Sequence, residues 1–292
     1  MSRLFLGLPA PAKLNLFLHV TGRRADGYHE LQSLMVPIAL ADTLDFELRN
    51  DGRIVRSGDL IGSPENDLCV RAAKLLQQES GTSLGVDLGV EKRIPAGSGM
   101  GGGSSDAATT MLALNRLWGL GWPRHRLAAL ALRLGADVPF FLGTGPALAE
   151  GIGERLTPLA SRPLWFAVIY PQVSVSTAEI FAAAELTRST KALTIADFSA
   201  LQDNAAGGGN SAPAGLFGAN DLEPVVRRRY PAVDAAIEHL ARFGPARMTG
   251  SGSAVFTVLP SEGAAQEAVG GLPAGWQGWA VEGLAEHPLA QW

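Results

Sequence analysis

The segment KRIPAGSGMGGGSSDAATTMLALNRLWGL, residues 92–120, carries five glycines within residues 97–103. Alternating apolar residues at 84–90 predict a strand that leads into this loop, and the alanine- and leucine-rich residues after it predict a helix that leads out. Glycine has no Cβ, so backbone amides can wrap closely around an anion, and a helix N-terminus adds roughly half a positive charge. The order of strand, glycine loop and helix therefore predicts a binding site for a phosphate chain.

Other glycine-rich loops share this logic and fit the sequence less well. A Walker A loop needs a lysine directly before the helical hydroxyl residue, and none precedes Ser104 or Ser105. The dinucleotide-binding spacing matches at Gly97, Gly99 and Gly102, but a second helix pattern follows where a strand is required. A protein-kinase loop would need HRD and DFG motifs, which the chain lacks. A flexible linker is the remaining alternative, although periodic patterns flank the loop on both sides.

Composition limits the class of protein. The 292 residues, 47% of them hydrophobic, are enough to bury two ordinary cores. A net charge of −4 disfavours nucleic-acid binding, and no apolar run approaches the roughly 20 residues of a membrane span. Cys69 is the single cysteine, which excludes a disulfide within the chain and fits a reducing compartment. We expect a two-domain cytoplasmic protein that binds neither nucleic acid nor membrane.

The first long strand pattern contains an unusual lysine. Alternation over residues 11–20 predicts two faces, one with Leu14, Leu16, Leu18 and Val20 and the other with Lys13, Asn15, Phe17 and His19. Lys13 and Asn15 are therefore expected side by side. A lysine in a strand that otherwise looks buried is compatible with a functional site, and equally with an edge strand protected against aggregation. The local pattern leaves both interpretations open.

A second candidate is the carboxylate of Asp137. A helix is predicted over residues 124–134, with the next glycine as its C-cap, and Pro139 is expected to force Val138 into an extended conformation. Asp137 would then lie among apolar residues, where an unpaired charge is unfavourable. It needs a partner, which is either a lysine such as Lys13 or a nearby backbone amide.

Tyr28 and His29 follow a tight turn predicted at residues 26–27. Adjacent tyrosine and histidine side chains can stack on a planar ring and hydrogen-bond to it. Such pairs are also common on protein surfaces, so this feature alone does not establish a binding site.

The second half of the chain is predicted to be a separate α+β unit, with the domain boundary at residues 158–163. The elements expected there are a strand at 164–170, a short helix from Thr177, a glycine- and alanine-rich loop at 205–218, helices from about 221 and after 231, and strands at 254–259 and 279–284. A second glycine turn at residues 248–253, MTGSGS, is expected to face the first.

Three stretches together resemble, in order and spacing, the three motifs of the GHMP kinases, a family that includes galactokinase, homoserine kinase and mevalonate kinase. They are PAKLNLFL at 11–18, IPAGSGMGGGSSDAA at 94–108 and MTGSGSAVF at 248–256. The resemblance implies an α+β fold with an N-terminal ATP-binding domain over residues 1–160, similar to ribosomal protein S5 domain 2, and a ferredoxin-like substrate domain over residues 161–292. It also implies phosphorylation of a small molecule by ATP with Mg²⁺, in the cleft between the domains.

The resemblance assigns roles by motif match. Lys13 and Asp137 are implied to be the catalytic pair, and Asn15 to contact the substrate. The residues implied to lie at ATP are Lys92, Pro95, Ala96, Gly97, Ser98, Gly99, Met100, Gly101, Gly102, Gly103, Ser104 and Ser105, with Mg²⁺ held by the ATP phosphates and Ser105. The chain departs from the family pattern at Ser98, where glycine is expected, and at Asp106, where asparagine is expected.

Within the family, residues 11–34 and LGADVPFFL at 134–142 look most like a branch of the non-mevalonate isoprenoid pathway. Its members phosphorylate the 2-hydroxyl of a diphosphocytidyl-methylerythritol. By this match Tyr28, His29, Thr177 and Phe181 would receive the cytidine end. A mevalonate or homoserine kinase is the alternative, although those substrates carry no base. The oligomeric state, monomer or homodimer, is left open.

Overall fold

The computed structural model describes residues 3–60, 63, 65–160, 164–194 and 216–292. The strands within these ranges form two sheets. The strands of the first are β1 (Leu4–Arg23), β2 (His29–Arg49), β3 (Ile54–Gly58), β4 (Gly85–Glu91), β5 (Ala147–Gly151) and β6 (Arg155–Pro158). Their order is β3-β4-β2-β5-β6, and β1 lies along the other side of the long β2. The second sheet contains β7 (Trp165–Tyr170), β8 (Ala246–Met248), β9 (Val255–Leu259) and β10 (Gln277–Glu282).

Helices cover one face of each sheet. Those of the first half are α1 (Leu68–Ser80), α2 (Gly102–Leu117), α3 (Arg124–Ala131) and α4 (Val138–Phe141). Those of the second half are α5 (Thr177–Ala182), α6 (Glu223–Arg229), α7 (Pro231–Ala241) and α8 (Glu262–Ala268). Helix α2 is central, because 11 of its 16 residues are buried and it therefore packs on several sides at once. No helix in the described ranges is long and apolar enough to cross a membrane.

The second sheet has the order β10-β7-β9-β8, with every adjacent pair antiparallel. This is the strand order of a ferredoxin-like βαββαβ unit, as the family resemblance implies. Along β7, Ala167 and Ile169 pack against the helices, whereas Phe166 and Val168 pack against the first sheet. Both faces of the sheet are buried at its two central strands, which explains why β7 and β9 read as nearly continuous apolar runs.

The two halves exchange segments. The first sheet ends at Pro158 and the second begins at Trp165, so we propose residues 158–163 as the division between domains. However, Leu18 and Val20 of β1 pack in the core of the second half, and Leu289 returns to the core of the first. Each domain therefore contains chain from both ends.

Several local predictions differ from the structure. Helix α3 ends at Ala131, not at residue 134, because the Arg133 and Leu134 amides bond to carbonyls three positions back. Gly135 does not adopt the left-handed conformation of a C-cap. Val138 is not extended: it begins α4, whose first turn accepts Pro139 because no N–H is needed there. Most of the loop predicted at residues 205–218 lies outside the described residues.

The predicted alternation along β1 is also wrong at one point. The pairing with β2 shifts between Asn15 and Phe17, so Leu16 lies in a bulge and packs in the same core as Phe17. Lys13 and Asn15 precede the shift and remain on one face. Before the bulge, β1 therefore presents Lys13 and Asn15 on one face. After it, the strand presents Leu18 and Val20 to the core of the second domain.

Asn220 ties the second glycine turn to this part of β1. Its amide donates to the carbonyls of Met248 and Gly250, both at 2.8 Å, and its side-chain oxygen accepts the Leu222 amide at 3.0 Å. The neighbouring residues bond to the backbone of Leu18. Asn220 is 3% exposed and its partner residues Met248, Gly250 and Leu222 are also buried, so these hydrogen bonds are shielded from water.

We predict that Asn220→Ala lowers the free energy of unfolding by about 2–4 kcal/mol, because three buried backbone groups lose their partner. The exposed Asn50→Ala is the matched control and should change stability by less than about 0.5 kcal/mol. Urea denaturation of both variants measures this. Equal stabilities would show that Asn220 does not hold the turn.

Candidate active site

Glycine geometry shapes the loop before α2. Gly97, Gly99 and Gly101 have φ values of 68°, 78° and 74°, in the left-handed region that other residues rarely adopt. Gly101 is the N-cap of α2, so the helix begins directly where the loop ends. The loop thus presents backbone amides and a helix N-terminus together, as the sequence predicts for an anion site.

Hydrogen bonds from three parts of the chain hold this loop and the residues before it in place. The carbonyl of Met100 accepts the Lys13 amide at 3.0 Å, and the carbonyl of Ser98 accepts the Ala254 amide at 2.9 Å. The fully buried Asp42 carboxylate accepts the amides of Arg93 and Ile94 at 2.6 and 2.8 Å. The loop is therefore fixed by β1, by β2 and by the second glycine turn.

Two cavities meet at the loop. The larger, of about 860 Å³, lies between the two halves of the chain, and the smaller, of about 380 Å³, lies beside Lys92 and Asp106. Gly97, Gly99, Gly101 and Ser104 line both. A phosphate chain on the loop would therefore extend from the smaller cavity to the larger.

Lys13 and Asp137 lie together in the larger cavity. Lys13 Nζ is 3.5 Å from Asp137 Oδ2, and the lysine side chain is buried whereas the carboxylate is 41% exposed. Lys13 Nζ also donates to Asn15 Oδ1 at 2.5 Å. The ion pair predicted for Asp137 is present, but Asp137 is not enclosed by apolar residues and its side chain does not cap α4.

Asn15 is itself held from two directions. Its side-chain amide donates to Ser33 Oγ at 2.7 Å, and Ser33 Oγ donates to the Phe17 carbonyl at 2.6 Å. Its backbone amide donates to Thr249 Oγ1 of the second glycine turn at 2.9 Å. These contacts orient the Asn15 side-chain oxygen towards Lys13. The lysine ammonium is thus held by Asn15 Oδ1 as well as by Asp137.

Aromatic side chains line the other end of the larger cavity. The rings of His29 and Phe181 have centroids 5.0 Å apart, and Tyr28 beside them is 62% exposed. Thr177 begins α5, and its hydroxyl is 2.6 Å from that of Ser251 in the second glycine turn. An exposed tyrosine and further aromatic rings that line the same cavity offer faces on which a planar group can stack.

Lys92 joins two carboxylates at the wall of the smaller cavity. Its ammonium donates to Asp42 and, at 2.6 Å, to Asp106 Oδ2. Burial raises the pKa of the Asp106 carboxyl to about 7, with Lys92 opposing and Asp42 reinforcing this shift. Burial opposes protonation of Lys92, but the two carboxylates outweigh it and raise the pKa of the ammonium. Asp106 Oδ1 is buried and has no hydrogen-bond partner among the described residues.

Most residues proposed from the sequence lie at these cavities, with two qualifications. Ser105 is fully buried and lines neither cavity, because it lies on the face of α2 that meets the core, whereas Ser104 faces both. The side chain of Met100 is buried in the core between the sheets, so this residue contributes only backbone to the loop.

Sequence reasoning missed three supporting residues. Asp42 falls within an alternating strand pattern and resembles a surface residue, and Ser33 is equally inconspicuous. Arg188, which contacts His29, lies far from it in sequence. The apolar residues that alternate on both sides of Asp42 are the one local sign that this carboxylate could be buried. They do not reveal that its partners are the amides of Arg93 and Ile94.

Comparison with known proteins agrees with this geometry. Residues 67–145 match the GHMP kinases N terminal domain, and residues 200–277 match the GHMP kinases C terminal domain. The chain is 55% identical to the 4-diphosphocytidyl-2-C-methyl-D-erythritol kinase of Thiobacillus denitrificans, over 96% of each chain. The chain therefore belongs to the GHMP kinase family.

Solved structures extend the comparison. A crystal structure of 4-(cytidine 5'-diphospho)-2C-methyl-D-erythritol kinase superposes with a TM-score of 0.79 at 35% identity, covering 96% of this chain and 99% of that one. A homoserine kinase from Cytophaga hutchinsonii superposes with a TM-score of 0.70 at 16% identity, covering 98% of this chain and 96% of that one. The second similarity shows the fold alone.

We predict opposite stability effects for two glycines of the loop. In Gly101→Ala the new Cβ would lie 2.9 Å from Phe141 and 3.3 Å from Lys13 Cε in a left-handed conformation, so stability should fall by about 1–2 kcal/mol. In Gly103→Ala the nearest atom is Leu68 Cδ1 at 3.5 Å, so the helix should gain up to about 1 kcal/mol. Denaturant unfolding measures both changes, and the same sign in both variants would contradict the prediction.

The raised pKa of Asp106 predicts a pH dependence. Because the folded protein holds this proton more tightly than the unfolded chain does, the contribution of Asp106 to stability is lost as the pH rises through about 7. Asp106→Asn has no carboxyl group at this position and therefore lacks this pH-dependent contribution to stability. The stability of Asp106→Asn relative to wild type should therefore increase by about 1 kcal/mol between pH 6 and pH 8. Urea titrations at both pH values test this, and a constant difference would contradict it.

Proposed function

We propose that this GHMP kinase transfers the γ-phosphoryl group of ATP to the 2-hydroxyl of 4-diphosphocytidyl-2-C-methyl-D-erythritol. The observation that carries the proposal is the composition of the larger cavity, where the Lys13–Asp137 pair, the glycine loop and the Tyr28–His29 turn line one space. A relative that is 55% identical over nearly the whole chain bears the name of this kinase.

In this proposal ATP occupies the smaller cavity and its phosphates lie along the glycine loop. Backbone amides of the loop and the N-terminus of α2 would neutralise part of the phosphate charge. Lys92 lies at the wall of this cavity, already paired with two carboxylates. Mg²⁺ would supply further charge neutralisation on the phosphates, and the Ser104 hydroxyl at the start of α2 lies where it could bind the ion.

The acceptor hydroxyl would lie between Lys13 and Asp137. In the transfer a bond forms from its oxygen to the γ-phosphorus, the bond from that phosphorus to the β-phosphate oxygen breaks, and ADP leaves. The hydroxyl proton passes to the Asp137 carboxylate. A tertiary alcohol is a weak acid, so the Lys13 ammonium assists by stabilising negative charge on the acceptor oxygen and the transferred group.

The cytidine end would bind at the aromatic end of the cavity. Tyr28 and Phe181 offer ring faces for stacking, and His29 offers a ring nitrogen for a hydrogen bond. Mevalonate and homoserine carry no base, so these side chains favour the cytidine compound over either alternative. We also propose that the enzyme acts in the cytoplasm, where Cys69, which is buried, would stay reduced.

We predict that Asp137→Asn and Lys13→Met each lower kcat by about a hundredfold or more while ATP binding persists, because both groups act on the acceptor oxygen. Asp26→Asn is the matched control: Asp26 lines the same cavity, and the amide oxygen can still accept the Tyr28 amide. Steady-state kinetics and calorimetric titration with ATP measure these effects. Turnover of Asp137→Asn within a fewfold of wild type would make Asp137 a structural residue.

The substrate is tested by an ADP-release assay with three acceptors. The cytidine compound should exceed mevalonate and homoserine in kcat/KM by about a hundredfold or more. Tyr28→Ala should remove about 1–3 kcal/mol of stacking free energy. KM for the cytidine compound should rise accordingly, with KM for ATP nearly unchanged. Equal use of mevalonate or homoserine by the wild-type enzyme would require a different substrate.

A further inference from the structure

Arg188 lies behind the aromatic end of the larger cavity and connects its two sides. The residue is half-buried in the segment after α5. Its Nη2 donates to the carbonyls of Phe181 at 3.0 Å and Ala183 at 2.7 Å, which close the end of α5. Its Nε donates to Nε2 of His29 at 3.1 Å. One guanidinium therefore holds the backbone that carries Phe181 and the ring of His29.

The contact with Arg188 defines the protonation of His29. A guanidinium can only donate hydrogen bonds, so Nε2 of His29 must accept and therefore carries no proton. Burial, followed by the charges of Arg188 and Arg23, lowers the pKa of His29, so the ring is neutral at pH 7.5. In a neutral ring with an unprotonated Nε2 the proton resides on Nδ1. Within the described residues no protein atom hydrogen-bonds to Nδ1, and His29 lines the cavity.

We propose that Arg188 is a positioning residue for base selection: it holds His29 as the Nδ1–H tautomer, so that the ring donates a hydrogen bond to N3 of cytosine. This assignment rests on the proposed function. No group contacting the phosphates or the acceptor hydroxyl is involved, so Arg188 acts on the choice of substrate and not on the transfer step.

The tautomer matters because cytosine and uracil differ at the edge that would meet the ring. Cytosine N3 is an acceptor, whereas uracil N3 carries a hydrogen and is a donor. An Nδ1–H group facing N3 pairs with cytosine and opposes uracil, and an unprotonated Nδ1 would reverse this preference. A site that leaves a buried polar group unpaired with the wrong ligand discriminates strongly. Fixing one proton on His29 is thus sufficient to set the base preference.

The tautomer can be measured directly. Long-range ¹H–¹⁵N correlation spectra of the labelled wild-type protein at pH 7.5, with His29 assigned by the loss of its signals in His29→Gln, should show the Nδ1–H form. Arg188→Ala should shift His29 towards the Nε2–H form. Arg23→Ala is the control, because it removes a nearby positive charge and leaves the hydrogen bond from Arg188 to the His29 ring in place, and it should keep the Nδ1–H form. An Nε2–H or doubly protonated His29 in wild type would overturn the proposal.

Kinetics test the consequence for selectivity. The ratio of kcat/KM for the cytidine and uridine forms of the substrate should fall about tenfold in Arg188→Ala, and less in Arg188→Lys, which retains one donor. In a His29→Ala background, Arg188→Ala should cause no further fall. A ratio unchanged within twofold, or a fall of equal size in both backgrounds, would overturn the role of Arg188.

The outcomes separate this inference from the proposed function. If wild type does not turn over the cytidine compound, the proposed function fails and the assignment falls with it. If wild type prefers the cytidine compound but Arg188→Ala keeps both the ratio and the tautomer, only the role of Arg188 fails. Should Arg188→Ala fail to fold, the wild-type spectrum and Arg188→Lys still decide.

Discussion

The close approach of two glycine turns, one from each half of the chain, is the constraint on which the site depends. A Cβ on Gly99 would lie 2.4 Å from the Thr249 carbonyl oxygen and 2.9 Å from that of Gly252, and a Cβ on Gly250 would lie 2.9 Å from the Gly99 carbonyl oxygen. Side chains are excluded at these positions, so backbone packs on backbone. The phosphate-binding loop and the acceptor cavity are therefore held together without any mobile side chain between them.

Next to this contact, the two charged groups of the Lys13–Asp137 pair differ in their exposure to solvent. Lys13 is almost fully buried and keeps its position through Asn15, whereas its partner Asp137 remains open to the cavity. A buried ammonium needs nearby oxygen atoms, and an exposed carboxylate can exchange its partner for a substrate hydroxyl. The balance is reversed at Lys92, whose side chain is 14% exposed at the wall of the smaller cavity, whereas the side chains of Asp42 and Asp106 are buried.

Much of this arrangement could be predicted from sequence because it is local or motif-based. The strand, glycine loop and helix at residues 84–117 follow from periodicity and glycine chemistry, and the structure has them within a residue or two. The bulge at Leu16 could not be predicted, because alternation continues through it and the shift is set by pairing with β2. Asp42 and Arg188 act on residues 51 and 159 positions away, and no local pattern records such contacts.

The exchange of segments between the halves also has a consequence for how the protein is made. The Asn15 amide reaches its Thr249 partner across 234 positions, and Ala219 and Asp221 bond to the backbone of Leu18, which is equally remote in sequence. Contacts this distant in sequence form late, because the intervening chain must first be closed into a loop. A nascent chain on the ribosome thus carries its glycine loop without the opposing turn. The competent enzyme appears only after the turn at residues 248–253 has emerged and packed on the glycine loop.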